Sequence, residues 1–217
     1  MSGKNQDGQP KERILDQAEA LFAKKGYHAV SVREITRAAG CNLAAVNYHF
    51  GTKENLYLEV FRSRFAARAL RLREHFDTSL AAQGSNSATA VVKALAEAFL
   101  EGPLTDEERL RHHQLIVREL AQPTGAFKLL AGQVMRPFFK RLADRLRPFL
   151  SEDMEDERLM LKIISIFHMV VFFNFARVMV TAATGREYDA GFKALLVEHI
   201  TDFSICGLTE KEKEGQQ

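Results

Sequence analysis

One stretch of the sequence, residues 43–50, places side chains that can contact double-stranded DNA on one side of a short predicted helix. Asn47 can pair a donor and an acceptor with an adenine edge, an alanine methyl can touch a thymine methyl, and tyrosine or histidine can reach phosphate oxygens. We expect Leu43, Val46 and Phe50, which recur at helical spacing, to pack on the preceding helices. The candidate DNA contacts in this stretch and directly before it are Asn42, Ala44, Ala45, Asn47, Tyr48 and His49.

The residues before this stretch predict the elements that hold it. Ser31 and Glu34 have the spacing of a capping box, so a second helix is predicted over residues 32–39. Gly40 ends that helix and Asn42 can cap the third. Two short helices joined by a three-residue turn that contains glycine form the pattern of a helix-turn-helix.

Positive charge in the same part of the chain also favours a polyanionic partner. Residues 1–75 hold 13 Lys/Arg and 8 Asp/Glu, a net +5, whereas residues 76–217 hold 17 and 20, a net −3. Lys53 and the free N–H groups at the start of the next helix can bind a phosphate, and Ser31 and Arg33 are placed for a similar backbone contact.

These residues also carry a family resemblance. The segments ILDQAEALFAKKGYHAVSVREITRAAG and NLAAVNYHFGTKENLY resemble the TetR family of transcription regulators, and the latter segment is more similar to the CecR branch of that family than to its average member. The resemblance implies a DNA-binding helix-turn-helix, a helical regulatory domain, a homodimer and, as the family default, repression. It implies DNA contacts at Ser31, Ala44, Ala45, Asn47, Tyr48 and Lys53.

Helical periodicity extends over the rest of the chain and predicts an all-α fold of about nine helices. We expect a polar tail at residues 1–9, the helix-turn-helix domain at 10–56, a regulatory and dimerisation domain at 57–206, and another polar tail at 207–217. A long helix from Lys53 to about Ala82 is predicted to join the two domains. A kink is expected at Pro137 inside another helix.

The helix predicted at residues 155–184 is apolar on every side, which indicates that more than one partner covers it. We expect it to pair with the last helix in a homodimer that forms a four-helix interface. Such a dimer would bind a palindromic operator with two recognition helices. The predicted interface residues are Phe167, Val171, Phe175, Phe192, Leu195, Leu196, His199 and Phe203.

Polar side chains among the phenylalanines of the larger domain are candidates for binding a small-molecule effector. The set consists of His112, His113, Arg118, Phe138, His168, Phe172, Asn174 and Arg177. A plainer interpretation also stands, in which the histidines at 112 and 113 are half-exposed surface and His168 and Asn174 are satisfied core or interface polars.

Other classes of protein fit the sequence less well. Two distant cysteines give no disulfide or zinc pattern, no metal or cofactor is predicted, and Arg177 interrupts the apolar run 163–183, which argues against a membrane span. The first residues have no apolar leader region, so a cytoplasmic protein is expected. Two alternatives remain: a ligand-independent DNA-binding or interaction protein, and a helical enzyme with an appended helix-turn-helix.

Overall fold

The structure is a computed structural model that describes residues 8–208. The predicted polar tails therefore fall largely outside the described residues, which exclude 1–7 and 209–217. Where the structure does cover them, it places Gly8 and Gln9 in the first helix and Gly207 and Leu208 in the last.

Every regular element between residues 8 and 208 is helical, which confirms the all-α prediction. The α-helices are α1 Gly8–Lys25, α2 Val32–Ala39, α3 Leu43–Phe50, α4 Lys53–Val60, α5 Ala66–Ala82, α6 Ala88–Leu100, α7 Asp106–Ala121, α8 Gly125–Leu130, α9 Arg136–Leu146, α10 Asp156–Phe175, α11 Arg177–Thr184 and α12 Ala190–Leu208. Two π-helical turns, Phe61–Phe65 and Ala131–Met135, join α4 to α5 and α8 to α9. The predicted helix from Lys53 to Ala82 is thus continuous but widened near its middle.

The helix predicted at residues 155–184 is divided, which brings the number of continuous helices in the described chain to ten. Ala176 has φ −84° and ψ 28°, outside the α-helical region. The Arg177 guanidinium donates through Nε to the Asn174 carbonyl at 3.1 Å. This side-chain hydrogen bond satisfies a carbonyl that the interrupted helix leaves open.

Pro137 lies directly after the π-helical turn at Ala131–Met135, in the first turn of α9. A proline ring removes one N–H donor and crowds the carbonyl four residues before it. The wider π-helical turn before Pro137 shifts the backbone hydrogen bonds of residues 131–135 and so relieves this crowding. The regular α-helix is therefore interrupted where the sequence predicts a kink.

The chain forms two compact units. The first unit contains the residues up to Ala69 together with Leu104–Val134. In it, α1 packs on α2, α3, α4 and α7, and α8 packs on α4. Its core is built from fully buried side chains that include Ile14, Phe22, Ile35, Leu56, Phe61 and Leu115.

The second unit contains Leu70–Pro103 and the residues from Met135 onward. Helix α6 lies at its centre and packs on α9, α10 and α12. This position suits the sequence of α6, which is rich in alanine and valine and almost without charge, because small side chains let neighbouring helices approach closely. The division differs from the predicted boundary at residue 56, since α7 and α8 group with the helix-turn-helix.

Candidate nucleic-acid interface

Local sequence signals position the third helix. The Asn42 side chain accepts a hydrogen bond from the Ala45 N–H at 2.9 Å, so it caps α3. Before it, Gly40 has φ +60°, a left-handed conformation that ends α2. The end of α2 and the start of α3 therefore both have hydrogen-bond partners for their backbone groups within the turn.

The two faces of α3 differ as predicted, with one correction. Val46 and Phe50 are buried, whereas Asn47 and Tyr48 face solvent and Tyr48 is 80% exposed. Leu43 was expected in the core but is 44% exposed. Leu43 lies in the first turn of α3, whereas the residues that contact the core, Val46 and Phe50, lie in the later turns.

The remaining candidates on α3 line the edge of this exposed face. Ala44 is exposed and Ala45 is half-buried, so neither side chain keeps another surface from approaching the helix. The ring of His49 is half-buried and contacts the Tyr48 ring with 5.0 Å between centroids. Asn47, Tyr48 and the two alanines thus form a continuous surface suited to the floor of a groove.

Helix α2 presents Ser31 and Arg33 to solvent beside this surface. The predicted capping box is only half formed. The Ser31 hydroxyl accepts from the Glu34 N–H at 3.2 Å, but the Glu34 carboxylate pairs with Lys25 instead of reaching back. That hydrogen bond with Lys25 lowers the pKa of Glu34, although burial acts in the opposite direction.

Lys53 occupies the first turn of α4, which Thr52 caps by accepting from the Asn55 N–H at 3.0 Å. The Lys53 ammonium lies 4.4 Å from the centroid of the Tyr27 ring. Partial burial lowers the pKa of Lys53. The ring face therefore defines where this cation lies, beside the start of a helix whose free N–H groups also favour an anion.

Three of the predicted effector contacts lie on α7 in the first unit and are engaged there. The Arg118 guanidinium donates to the carbonyls of Ala23 and Lys24 at 3.0 and 2.7 Å, so it caps the C-terminal end of α1. The His112 ring stacks on Phe65 with 4.1 Å between centroids. Arg118 is therefore a structural link between α7 and α1, which corrects the expectation that it lines an effector cavity.

The other five effector candidates lie in the second unit, where Phe138 and His168 both contact Phe167, while Asn174 and Arg177 lie at the break after α10. His168 is exposed on α10 and contacts the Ile164 carbonyl through Nδ1, and Phe172 is 46% exposed. Asn174 and Arg177 bond to each other at the break after α10. Phe138 belongs to an aromatic cluster with Phe99, Phe139 and Phe167, and the His168 ring contacts Phe167 of that cluster with 6.2 Å between centroids.

The described residues of the second unit form a small enclosed cavity and an open groove. The enclosed cavity measures about 10 Å³ and is lined by apolar side chains that include Val91, Leu142 and Ile166. The groove measures about 610 Å³, is open to solvent and is lined by residues that include Asp77, Ser85, Arg141 and Arg145. None of the eight predicted effector contacts lines either space.

The predicted dimer residues fall into three groups. Phe192 and Leu196 are 4% and 5% exposed and belong to the core of the second unit, so they do not form an external surface. Phe167, Val171 and Phe175 are half-buried. Leu195 and Phe203 are 49% and 65% exposed, and His199 is also exposed. The apolar surface of α12 therefore lies on the face of Leu195, His199 and Phe203.

Sequence reasoning missed the buried charges of the first unit. Glu119 is 1% exposed and accepts from the Tyr57 hydroxyl at 2.6 Å. Glu19 is equally buried and forms an ion pair with Arg68. A signal for Glu19 was present, because it falls next to Ala18 on the apolar stripe of α1, but its partner lies 49 residues away.

One helix of the described chain, α10, is long and apolar enough to cross a bilayer when judged by length and composition alone. This test is weak for a single helix, because the core helix of a soluble protein passes it as well. In the structure α10 packs on α6, α9 and α12 within the second unit.

The helical fold and the solvent-facing edge of α3 define a helix-turn-helix DNA-binding protein. Two family models agree with that class. The model for bacterial regulatory proteins of the tetR family matches residues 14–60, and the model for the C-terminal domain of the HTH-type transcriptional dual regulator CecR matches residues 88–208, more than half of the chain. The chain therefore belongs to the TetR family of transcriptional regulators, in the branch with a CecR-type C-terminal domain. This is a family of regulators and not of enzymes.

Individual relatives agree with the family. The HTH-type transcriptional dual regulator CecR of Shigella flexneri is 26% identical over 94% of both chains. The regulator QacR of Staphylococcus aureus is 44% identical over 50 residues, 23% of this chain and 27% of its own. A transcriptional regulator from Saccharomonospora viridis, solved in complex with choline, has the same fold with a TM-score of 0.61, 19% identity, and coverage of 94% of this chain and all of its own.

Proposed function

We propose that this regulator acts in the cytoplasm as a homodimer that represses transcription at a palindromic operator and is released by a small-molecule effector. The observation that supports this DNA-binding surface is that α3 has two unlike faces. Val46 and Phe50 are buried, and Asn47 and Tyr48 are exposed. Asn47 faces outward where it can bond a base edge, and the small alanines allow close approach. Lys53, Ser31 and Arg33 supply contacts to the phosphate backbone.

Exposed apolar stripes on the second unit support the homodimer. On α10, Leu161 and Phe172 are 59% and 46% exposed, with His168 between them. On α12, Leu195 and Phe203 are exposed with His199 between them. Two such helices from each of two chains make a four-helix interface that removes this surface from water. The family resemblance implies the same pairing.

The operator follows from the symmetry of that dimer. A two-fold axis relates the two copies of α3, so the two half-sites are inverted repeats. Their separation must be about one turn of DNA, ~34 Å, or a multiple of it. Repression is the usual action in this family.

The phenylalanine cluster of the second unit supports an effector that carries an apolar ring or a quaternary ammonium group. Phe138 and Phe167 pack edge to face with 5.5 Å between centroids, and Phe99 contacts both. Aromatic faces bind apolar rings and, by cation–π contacts, quaternary ammonium groups. The choline complex of the Saccharomonospora viridis regulator makes choline a reasonable first compound to test.

The small enclosed cavity supports another candidate, a DNA-binding protein that responds to no small molecule. A free space of about 10 Å³ accommodates no more than one water molecule. An effector that binds in this interior space would therefore have to open the second unit as it binds. Under this alternative, candidate compounds leave the DNA complex unchanged.

Selection of genomic fragments by the purified protein tests the proposal. We expect recovered fragments to share an inverted repeat and a footprint to protect both halves. Sedimentation should give a particle of twice the 24.5 kDa chain mass. A single unrepeated half-site, or a monomer at the concentrations that bind DNA, would contradict the dimer. Adding choline and hydrophobic aromatic cations to the recovered complex then distinguishes the ligand-responsive regulator from the alternative.

A further inference from the structure

A column of side chains runs through the first unit from Lys53 to the C-terminal end of α7. The Lys53 ammonium lies 4.4 Å from the centroid of the Tyr27 ring, and the Tyr27 and Tyr57 ring centroids are 4.9 Å apart. The Tyr57 hydroxyl donates to Oε1 of Glu119 at 2.6 Å. Four side chains from three parts of the sequence, with Lys53 and Tyr57 both on α4, thus contact one another in series.

Tyr57, in the middle of this column, is buried among other aromatic rings. Tyr57 is 2% exposed and also contacts the rings of Phe22 and Phe61, with 4.9 and 5.1 Å between centroids. A ring packed in this way has one available position. Tyr27 contacts both this ring and the Lys53 ammonium.

Glu119 joins the column to the corner between α7 and α8. Besides Tyr57, its carboxylate accepts from the Thr124 N–H at 2.9 Å and from the Thr124 hydroxyl at 3.0 Å. Thr124 is also the N-cap of α8, since its hydroxyl accepts from the Ala126 N–H. A buried carboxylate that loses one of these donors is destabilised, so Glu119 links the position of Tyr57 to that of the α7–α8 corner.

We propose that Tyr27 and Tyr57 are positioning residues for DNA binding, which hold the Lys53 ammonium where it meets a DNA phosphate and tie that position to the α7–α8 corner through Glu119. The inference rests on the proposed phosphate contact of Lys53. It assigns to Tyr27 an electrostatic contact through its ring face, which an aliphatic side chain of similar size cannot supply. It also identifies the path by which a movement of α7 would reach a DNA contact.

A double-mutant cycle on a random-sequence DNA duplex tests the Tyr27 contact. Phosphate contacts dominate such binding, so an identified operator is not needed. Tyr27→Leu should weaken binding roughly two- to fivefold and lower the slope of log affinity against log salt by about one, as Lys53→Ala does. Tyr27→Phe retains the ring and should match the wild type in both respects.

The decisive comparison is Tyr27→Leu in the Lys53→Ala background. If Tyr27 acts through Lys53, the added substitution has no further effect on affinity. Equal losses in both backgrounds would overturn the inference and leave Tyr27 with a purely structural role. If Tyr27→Leu unfolds, pentafluorophenylalanine at this position keeps the ring shape, reverses its quadrupole and should give the same loss.

Hydrogen exchange of the amides in residues 52–58 tests the link to Glu119. Tyr57→Phe keeps the ring and removes the hydroxyl donor, so exchange of the hydrogen-bonded amides from Asn55 onward should accelerate roughly fivefold. Tyr188→Phe is the matched control, because the Tyr188 hydroxyl donates to the Phe173 carbonyl in the second unit. If Tyr57→Phe accelerates exchange only at the α7–α8 corner, Tyr57 does not support Lys53.

These outcomes separate this inference from the proposed function. If the wild type binds no DNA, the proposed function itself fails. If the wild type binds and Lys53→Ala lowers the salt slope, but the cycle is additive, only the role of Tyr27 is lost.

Discussion

His112 should make the stability of this protein depend on pH in a way that a single substitution removes. Its ring stacks on Phe65, and its Nδ1 is buried without a hydrogen-bond partner among the described residues. Burial, followed by the nearby charges of Arg68 and His113, lowers the pKa of His112 from 6.5 to about 3. The folded protein therefore holds this imidazole neutral under conditions in which the unfolded chain protonates it.

The sign and size follow from that difference in pKa. Above pH 6.5 the group is neutral in both states and its full contribution to stability is present. As the pH falls from 6.5 towards 3, the unfolded chain gains a proton that the folded protein does not, and stability falls by about 1.4 kcal/mol per pH unit. At pH 5 the loss amounts to about 2 kcal/mol.

Urea denaturation of the wild type and His112→Phe between pH 8 and pH 5 measures this contribution. The phenyl ring can keep the stack on Phe65 and cannot titrate, so the difference between the two proteins should grow by about 2 kcal/mol over this interval. His28→Gln is the control, because His28 is exposed and its removal leaves the buried site intact. If the wild type and His112→Phe lose stability in parallel, His112 is not held neutral in the folded state and the reasoning is wrong.

Five further substitutions test other parts of the molecule. Asn47→Ala should reduce discrimination between operator and random DNA by about 1–3 kcal/mol, measured by competition binding, because it removes the proposed base contact. Lys53→Ala should weaken binding to all sequences about equally and lower the salt slope by about one in titrations at several salt concentrations. Phe203→Asp should shift the sedimentation equilibrium to monomer while Leu196→Ala, in the core, lowers the melting temperature. Glu19→Leu should cost roughly 3–5 kcal/mol in urea unfolding, since it leaves the buried Arg68 without its main partner.

The elements that hold the DNA-binding surface could be predicted because their signals are local. Helix α2 runs from Val32 to Ala39 as expected, and Gly40 and Asn42 end and begin helices as their residue types indicate. Each of these effects acts over three or four residues. The inward position of Val46 and Phe50 follows from helical spacing alone.

The effector and dimer residues could be predicted only in part, because apolar periodicity does not tell a core face from an interface face. Phe192 and Leu195 both lie on the apolar helix α12, yet one is 4% exposed and the other 49%. The difference depends on where α6 and α10 pack against α12. Arg118 posed the same difficulty, since nothing in its own segment indicates that it caps α1.

By itself the sequence determined the class of protein, the helix-turn-helix and the outward face of α3, since caps, glycine conformations and helical periodicity are encoded within a few neighbouring residues. Only the tertiary structure decided that Arg118 binds α1, that Glu119 accepts from Tyr57 and that Tyr27 lies under Lys53. Tyr57 and Glu119 are 62 residues apart. The packing of whole helices determines such partners. A buried charge or hydroxyl must bond to a donor or acceptor that the folded core places beside it.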